Sequence, residues 1–459
     1  MSDLSFSEFN ITDKNSWKKQ AQKELGEKFS KTENWKILPD IDLKAYYTRD
    51  DVDSSKVDLL QNCQKKRPGW LNTPIVKYDN PWPTNARLRS AFDNGADAVI
   101  LSLNSPELVK AELSRTLHSI RLSDSPIFFH TTINSENLFD EISRGAGYYL
   151  KGGIANDPLA NWMRDGNTYK DAVDNVCNTL KRTKIMREFR PLMVESHVYH
   201  NAGADAVQEI AFLLSSAVFY FDKLTDAGIS SLHTLNRFFY SVSIGPHYLT
   251  EIAKLRALRF LHHRISRAYQ IPEELCEPFI HTQTSSFADS RLSPYTNLIR
   301  STTEAMSAIV GGCNALTVQP YDHSFQKSSE FSERIAKNVS LLLASESYLD
   351  RVADPAAGSY QLDMMSLKIA DAAWDLFLKT EEKGGIISCF ESGFIQSEIE
   401  KTWQDKIASL HKGNVIVGVN KFREEEQQVT GTPVFEMNSA VFKTLPVRNL
   451  AESWEVTLD

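Results

Sequence analysis

From Gly95 onward, short runs rich in β-branched and aromatic residues alternate with longer runs of helical periodicity. Strands that alternate with helices predict an α/β fold with a parallel sheet, because each helix carries the chain back to the start of the next strand. Eight such units predict a (β/α)8 barrel, the TIM-barrel architecture, rather than an open doubly wound sheet. The predicted strands are residues 98–103, 127–130, 148–150, 192–195, 238–244, 278–282, 315–318 and a weaker eighth at 359–362. The predicted helices are residues 106–120, 204–221, 248–269, 295–310 and 331–343.

Two further segments flank the predicted barrel. Apolar residues near the N-terminus recur every four positions, at Trp17, Ala21, Leu25 and Phe29. This spacing predicts an amphipathic helix, and the weakly periodic residues 38–79 after it predict an extended arm. The arm could pack on its own domain or wrap a partner, and the sequence leaves both open. The predicted organisation is an N-terminal helix and arm at 1–80, a barrel at 81–363 and a helical C-terminal extension at 364–459.

Composition excludes several classes of protein. The net charge of −8 gives no basic footprint for nucleic acid, and an anionic ligand would need a local basic pocket. No apolar run approaches the roughly 20 residues of a membrane span, and the first residues lack the pattern of a signal peptide. The five cysteines form no CxxC pair, which is typical of reduced thiols. We therefore expect a cytoplasmic protein without nucleic-acid or membrane partners.

Polar side chains follow several predicted strands, at the end of a barrel where function is usually found. Glu195, His197 and His200 follow the fourth strand and could form an acid–base cluster, or could hydrogen-bond loop backbone. The runs 281–286 and 317–323 either line a cavity or satisfy one another. Neither GxGxxG nor GxxxxGK[ST] is present, so the sequence carries no nucleotide-binding fingerprint. These residues alone indicate only an α/β barrel with a polar mouth.

Several stretches, in order along about half of the chain, resemble the methylmalonyl-CoA mutase family. They are AGAD at 202–205, EIAKLRA at 251–257, HTQTS at 281–285, EAM at 304–306, GG at 311–312, SERIAKN at 332–338, DPAAGSY at 354–360, EKGG at 382–385 and VIVGVNK at 415–421. The resemblance implies a TIM barrel that takes part in the adenosylcobalamin-dependent isomerisation of methylmalonyl-CoA and succinyl-CoA. It also implies that His281 and Gln283 are retained family positions on the cofactor side.

The departures from the family pattern fall on its active-site positions. The family's substrate-facing Thr and Gln correspond to Gly153 and Ala155. Its arginine for the substrate carboxylate corresponds to Asp165, beside Arg164, and an aspartate there would repel a carboxylate.

Two other family motifs are also altered. Its Tyr-His pair corresponds to His197 and Val198, while Tyr199 and His200 restore the two letters two positions out of register. The family's PWTIRQYAG motif is replaced near residues 68–74, and the cobalt-ligating DxHxxG motif is absent from this sequence.

The resemblance with these losses implies a small (beta) subunit of short form, without the cobalamin-binding domain and with no catalytic residue or metal ligand of its own. A large subunit would then hold adenosylcobalamin and the CoA esters in a heterodimer. We expect His197, Tyr199 and His200 to hydrogen-bond neighbouring loops and to block a pantetheine tunnel along the barrel axis. Two alternatives stay open: a catalytic acyl-CoA mutase barrel that works with a separate cobalamin-binding chain, and a repurposed barrel that uses Glu195, His197 and His200.

Overall fold

The computed structural model describes residues 13–29, 33–38, 41–103, 113–132, 134–145, 149–423 and 444–455. Its strands are β1 Asn34–Leu38, β2 Ile41–Lys44, β3 Leu71–Asn72, β4 Ile75–Lys77, β5 Val99–Leu103, β6 Ile127–Thr131, β7 Gly152–Ala155, β8 Phe189–Arg190, β9 Leu192–Glu195, β10 Phe238–Ile244, β11 Ile280–Thr284 and β12 Ala315–Thr317. Its α-helices are α1 Lys14–Leu25, α2 Ser54–Asn62, α3 Pro81–Asp93, α4 Leu113–Thr116, α5 Ser135–Gly145, α6 Pro158–Asp165, α7 Lys170–Arg182, α8 His197–Ala202, α9 Ala206–Asp226, α10 Ser231–Leu235, α11 Tyr248–Ala268, α12 Pro294–Val310, α13 Glu330–Ser345, α14 Tyr360–Glu382, α15 Gly385–Glu391, α16 Phe394–His411 and α17 Leu450–Glu455.

The parallel strands close into a barrel of eight. One sheet has the order β3-β12-β11-β10-β9 and the other β4-β5-β6-β7-β8. Both edges of each sheet are halves of interrupted strands: β3 continues as β4, and β8 continues as β9. On one side of the first interrupted strand, the amide of Thr73 donates to Leu316 O at 2.9 Å; on the other, Ile100 N donates to Pro74 O at 3.0 Å. In the second, β8 pairs with β7 and β9 pairs with β10. The predicted (β/α)8 fold is therefore confirmed.

A proline marks each interruption. Pro74 separates β3 from β4, and Pro191 separates β8 from β9. Proline has no amide hydrogen to donate to a ladder, so a continuous register cannot pass through either position. Elsewhere in the barrel the register is regular, and β10 and β11 pair residue by residue from Tyr240 with Ile280 to Ile244 with Thr284.

The sequence interpretation misplaced three of the strands. Residues 71–77 form the first barrel strand, so their assignment to the arm is wrong; the local Pro and Asn content hid a short strand. The strand expected at 148–150 lies later in the chain, as β7 at Gly152–Ala155. Residue 148 itself is outside the described residues. The eighth strand expected at 359–362 is wrong, because Ser359 caps helix α14 there. Residues 106–112 of the helix expected at 106–120 also lie outside the described residues. The domain division at 1–80, 81–363 and 364–459 otherwise stays a prediction.

Aromatic side chains fill the lower interior of the barrel. The rings of Phe128 and Phe239 are 5.2 Å apart, and Phe279 lies 6.2 and 6.3 Å from them. Ile100 and Met193, which pair with neighbouring strands at the same level, complete this buried cluster. Together they occupy the axis with packed apolar side chains, as in the layered interiors of TIM barrels.

Part of the N-terminal arm packs on its own chain. Ile41, Leu43 and Tyr47 are buried in the main core, and the Lys368 ammonium of α14 donates to Asp42 O at 2.5 Å. The predicted helix is confirmed as α1, which ends four residues before Phe29. The outer side of the N-terminal segment is different, since Leu25 of α1, Trp35 of β1 and Tyr46 of the arm remain between 43 and 46% exposed.

All five cysteines are buried free thiols. Within the part of the chain that the structure describes, no helix has both the length and the apolarity needed to cross a membrane.

Candidate functional site

Above the aromatic cluster, the inward-facing side chains change from apolar to polar. Hydrogen bonds join Ser102 to His130, and separately join His281 to both Ser241 and Thr317. We call six of these inward-facing side chains the polar layer: Ser102, His130, Glu195, Ser241, His281 and Thr317. This layer occupies the level at which TIM barrels carry their reactive groups.

The two histidines at the centre of the mouth are fully hydrogen-bonded. His281 Nδ1 shares a hydrogen bond with Ser241 Oγ at 2.8 Å, and its Nε2 shares one with Thr317 Oγ1 at 2.9 Å. His197 Nε2 and Nδ1 bond Ser241 Oγ at 2.7 Å and Ser243 Oγ at 2.6 Å. Burial lowers the pKa of His197 to about 4 and that of His281 to about 3, so both rings are neutral. Neither ring keeps a nitrogen available for a ligand or a proton.

An internal ion pair occupies the side of the mouth formed by α6. Arg164 Nη2 donates to Glu195 Oε1, and Arg164 Nη1 donates to Asn161 Oδ1 at 3.3 Å. The Glu195 side chain is 7% exposed. Burial alone would raise the pKa of Glu195, but Arg164 outweighs it and holds that pKa below its ordinary value. An arginine thus reaches the mouth next to Asp165, yet the chain's own carboxylate takes the place that a carboxylate ligand would need.

Tyr199 and His200 belong to different surroundings. His200 bonds Glu209 Oε1 and Ser285 Oγ, both at 2.8 Å, while the Tyr199 hydroxyl shares a hydrogen bond with Ser216 Oγ on α9. The expectation that these side chains are hydrogen-bonded is confirmed, although most partners lie on helix or strand rather than on loops. Glu195, His197 and His200 interact electrostatically, but each is hydrogen-bonded to other side chains rather than to one another, unlike the groups of an acid–base cluster.

A buried charged cluster lies beside His200. The Lys254 ammonium donates to both oxygens of Glu209 at 3.2 Å and to Ser243 O at 2.7 Å, and it lies 2.6 Å from Glu251. Lys254 is fully buried. Burial opposes the charged form of Glu209, but Lys254 and His200 outweigh it and lower the pKa of Glu209 to about 2. The same cluster borders a cavity of about 1100 Å³ between the loops after β9, β10 and β11 and helix α16.

The two positions that the family resemblance predicts to lie on the cofactor side are on β11. His281 and Gln283 are two residues apart and therefore share the inward face of the strand. His281 is committed to the chain's own hydroxyls, whereas the half-buried Gln283 side chain makes no hydrogen bond within the described residues. The mouth therefore fits poorly as a resident site for a large cofactor. Among the described residues, no three His, Cys, Asp or Glu side chains are grouped to hold a metal ion.

Two glycines let β7 approach both of its neighbours closely. A Cβ atom at Gly152, whose φ is +98°, would lie 2.1 Å from Ile127 O, and one at Gly153 would lie 2.0 Å from Arg190 O. The family's threonine corresponds to Gly153, so this barrel is packed around the absence of that side chain.

We expect Gly153→Ala to destabilise the fold by about 1–3 kcal/mol, the usual range for forced overpacking. The physical reason is that the new methyl group must push the β8 backbone away. Chemical denaturation followed by circular dichroism measures the effect. Gly245→Ala is the control, because its Cβ would meet other atoms no closer than 3.4 Å. Equal stability of the Gly153→Ala and Gly245→Ala proteins would contradict the packing argument.

The sequence interpretation missed the partners that saturate the mouth. Ser241 and Ser243 alternate with apolar residues along β10, and this period of two places them on the same face as Phe239. That alternation could have marked them as inward-facing. The ion pair of Arg164 with Glu195 joins positions 31 residues apart, and no local sequence pattern predicts it.

Fold and site together define a (β/α)8-barrel protein of the kind that carries functional groups at the carboxyl ends of its strands. A family model described as methylmalonyl-CoA mutase matches residues 139–454. The chain belongs to the methylmalonyl-CoA mutase family.

Individual relatives agree with this family. The chain is 28% identical over 438 residues to a methylmalonyl-CoA mutase small subunit of Porphyromonas gingivalis, covering 91% of this chain and 71% of that protein. It is 30% identical to a methylmalonyl-CoA mutase small subunit of Streptomyces virginiae, covering 77% of this chain but only 58% of that protein. A solved dihydropteroate synthase from Thermus thermophilus is 15% identical, with a TM-score of 0.32 over 61% of this chain and 95% of that chain.

Proposed function

We propose that this chain is the non-catalytic small subunit of a heterodimeric methylmalonyl-CoA mutase. Its partner would be a large subunit that holds adenosylcobalamin, binds the CoA esters and interconverts methylmalonyl-CoA and succinyl-CoA. The observation that carries the proposal concerns the barrel mouth. There the side chains that a substrate would need as partners are already hydrogen-bonded to other side chains of this chain. The names of the two bacterial relatives, both small subunits, support the same role.

Three features of the mouth oppose catalysis by this chain. Arg164 is neutralised by Glu195, so a substrate carboxylate would have to displace a buried internal one. His197 and His281 are neutral and hold no free ring nitrogen, which removes them as electrophilic or acid–base groups. Below them, the rings around Phe239 fill the axis along which a pantetheine arm would run.

The cofactor is best placed on the partner. Adenosylcobalamin supplies an adenosyl radical by homolysis of its cobalt–carbon bond, and the protein's contribution is to position it. On this chain both ring nitrogens of His281 are hydrogen-bonded to Ser241 and Thr317. His281 therefore stabilises the hydrogen bonding of the mouth and has no nitrogen left to contact a bound cofactor. The assignment of His281 and Gln283 to the cofactor side stays a prediction, and of the two only Gln283 keeps an unbonded side chain within the described residues.

The other two interpretations find less support. A catalytic barrel with a separate cobalamin-binding chain would need an arginine free for the substrate, and Arg164 is paired. A repurposed barrel would need Glu195, His197 and His200 to act together, and they have separate partners.

The pure chain is expected to show no turnover of methylmalonyl-CoA with added adenosylcobalamin, because the mouth offers no free group for substrate. The large subunit from the same source is expected to co-elute with it on size exclusion, and only that complex is expected to be active. Turnover by the pure chain would contradict the non-catalytic role. Failure to associate with any mutase large subunit would contradict the heterodimer.

Co-elution of a truncated chain tests which surface contacts the large subunit. The outer side of the arm exposes Trp35 and Tyr46, and an obligate interface usually covers at least about 2,000 Å². A chain without residues 1–40 keeps Ile41 and Leu43, which pack in the main core, and so should fold. Weaker co-elution of this chain would support residues 1–40, including Trp35, as part of the contact, whereas unchanged affinity would exclude them.

A further inference from the structure

A cavity of about 580 Å³ lies where helices α3 and α13 flank the first barrel strand. Strand residues 72–77 and the loop after β12 form part of its wall, and the first turns of α13 form another part. We call it the α3–α13 groove. It is separate from the polar layer of the mouth, and none of the groups argued for the proposed function lines it.

The groove is positively charged in an acidic protein. Four cationic side chains line it: Lys77, Arg87, Arg334 and Lys337. The carboxylates that line it are Glu330 and Glu333, and Asp79 pairs with Arg87 from outside the lining. The lining cations therefore exceed these carboxylates by one, while the whole chain carries −8. Burial raises the pKa of Glu333, while Arg87 and Lys77 act to lower it. The groove is the kind of local basic pocket that an anionic ligand needs on an acidic surface.

Two of these cations form no close ion pair, although Lys77 still interacts electrostatically with Glu333. Neither Lys77 nor Lys337 has an ion pair with any residue that the structure describes. Burial lowers the pKa of Lys337, because nothing nearby offsets the cost of removing its ammonium from water. Arg334 leans on the ring of Phe331, with 5.8 Å between the guanidinium carbon and the ring centroid. An anion in the groove would supply the missing opposite charge.

Two buried polar atoms of the lining also lack partners. Arg87 Nε and Ser328 Oγ make no hydrogen bond within the described ranges, although both atoms are shielded from solvent. Arg87 is held in place by its Nη2 atom, which donates to Lys77 O at 2.6 Å and to Asp79 Oδ2 at 2.9 Å. Other arginines, such as Arg256 and Arg259, also have a buried Nε without a partner, so it is the combination of Arg87 Nε with the Ser328 hydroxyl in one groove that offers two donors to a ligand.

We propose that the α3–α13 groove binds a phosphorylated small molecule of about nucleotide size. A phosphate offers several acceptor oxygens on one centre, which suits Arg87 Nε and Ser328 Oγ as donors and the lysines as surrounding charges. The groove volume lies within the usual range of small-molecule sites, about 300–1,000 Å³. Phe331, 52% exposed at the rim, provides a face for a planar ring.

Isothermal titration calorimetry on the full chain tests the site with ADP and with inorganic pyrophosphate, which separates a nucleotide from a bare phosphate requirement. Both are expected to bind saturably, and ADP more tightly because its ring can reach Phe331. Lys77→Met with Lys337→Met keeps the apolar stems and removes two charges, so binding should weaken by about tenfold or more. The matched control, Lys181→Met with Lys184→Met, removes two exposed charges that line neither cavity and should bind as the parent does.

Ser328→Ala gives a second, independent readout. It removes a hydroxyl that has no partner, so the melting temperature should not fall, while affinity for pyrophosphate should weaken about fivefold. Saturable binding of succinate but of neither phosphate compound would overturn the assignment to phosphate. Absence of saturable binding to ADP and pyrophosphate, or unchanged affinity in the double lysine variant, would overturn the site.

Discussion

Acidification from pH 7 to pH 5 is expected to lower the free energy of unfolding steeply. Burial lowers the pKa of five histidines to between about 3 and about 4, and these are His197, His262, His263, His281 and His323. Their folded pKa lies below the unfolded value near 6.5, so the unfolded chain binds more protons as pH falls. The contribution of these histidines to the free energy of unfolding is therefore fully present above pH 6.5 and is lost as pH drops towards 4.

Buried carboxyls act in the opposite direction. Burial raises the pKa of Asp157 to about 6 and of Asp289 to about 7, and it also raises that of Glu304. Their protonated forms suit the folded state, so their contribution to stability grows as pH falls through the same window. Burial also raises the pKa of other carboxyls, among them Asp205 and Asp363. The five histidines with large shifts outnumber the three carboxyls with large shifts, so we expect a net loss of stability near pH 5.5 that is smaller than the histidines alone would give, on the order of 1–2 kcal/mol per pH unit.

Urea unfolding at pH 7.5, 6.5, 5.5 and 5.0 measures this slope. His262→Asn removes one titrating ring and should reduce the slope by up to about 1.4 kcal/mol per pH unit. His411→Asn is the control, because His411 is exposed near the end of α16. A flat profile, or equal slopes in the two variants, would contradict the linkage argument.

Lys254→Met is expected to destabilise the protein by about 3–5 kcal/mol, because it leaves Glu209 and Glu251 buried without their shared cation. Glu209 and Glu251 are 2% and 5% exposed, so both carboxylates would keep most of the cost of burial. Differential scanning calorimetry and chemical denaturation measure the loss.

A pair with the same spacing serves as the control. Lys401 lies three residues after Glu398, just as Lys254 lies three after Glu251, but the Lys401 side chain is 70% exposed. Lys401→Met should therefore cost less than about 1 kcal/mol. Adding Glu209→Gln to Lys254→Met should recover part of the loss, since one uncompensated charge disappears. Similar losses for the two lysine variants would show that burial does not decide the value of this pair.

The sequence predicted the barrel well because the signals for strands and helices are local. Alternation of strands and helices located six strands that the structure retains, including Phe238–Ile244 with its full length. The strand at 71–77 was missed because Pro74 breaks its pattern, and the expected strand at 359–362 was in fact a capped helix start. Local signals decide such cases only when a strand is long and uninterrupted.

The candidate site was less predictable because its chemistry depends on long-range pairing. Family motifs indicated that Gly153 and Asp165 replace active-site residues, which is a statement about what is missing. That Arg164 turns to Glu195, and that Ser241 bonds both His197 and His281, follows only from the closure of the barrel. The orphaned Arg87 Nε and Ser328 Oγ likewise come together from residues 241 positions apart in number, with no motif between them.

The two proline-interrupted strands also constrain the order in which this chain can fold. Every other strand pairs with its neighbour along the sequence, so most of the ladder can assemble from contacts of short range. The join between β12 and β3 is the exception, because the Thr317 hydroxyl that donates to Thr73 O is 244 residues away in sequence. Contacts of that range carry the largest loop-closure entropy and form late. Since His281 depends on the same hydroxyl, the hydrogen bonding of the mouth is completed only when the ring itself is closed.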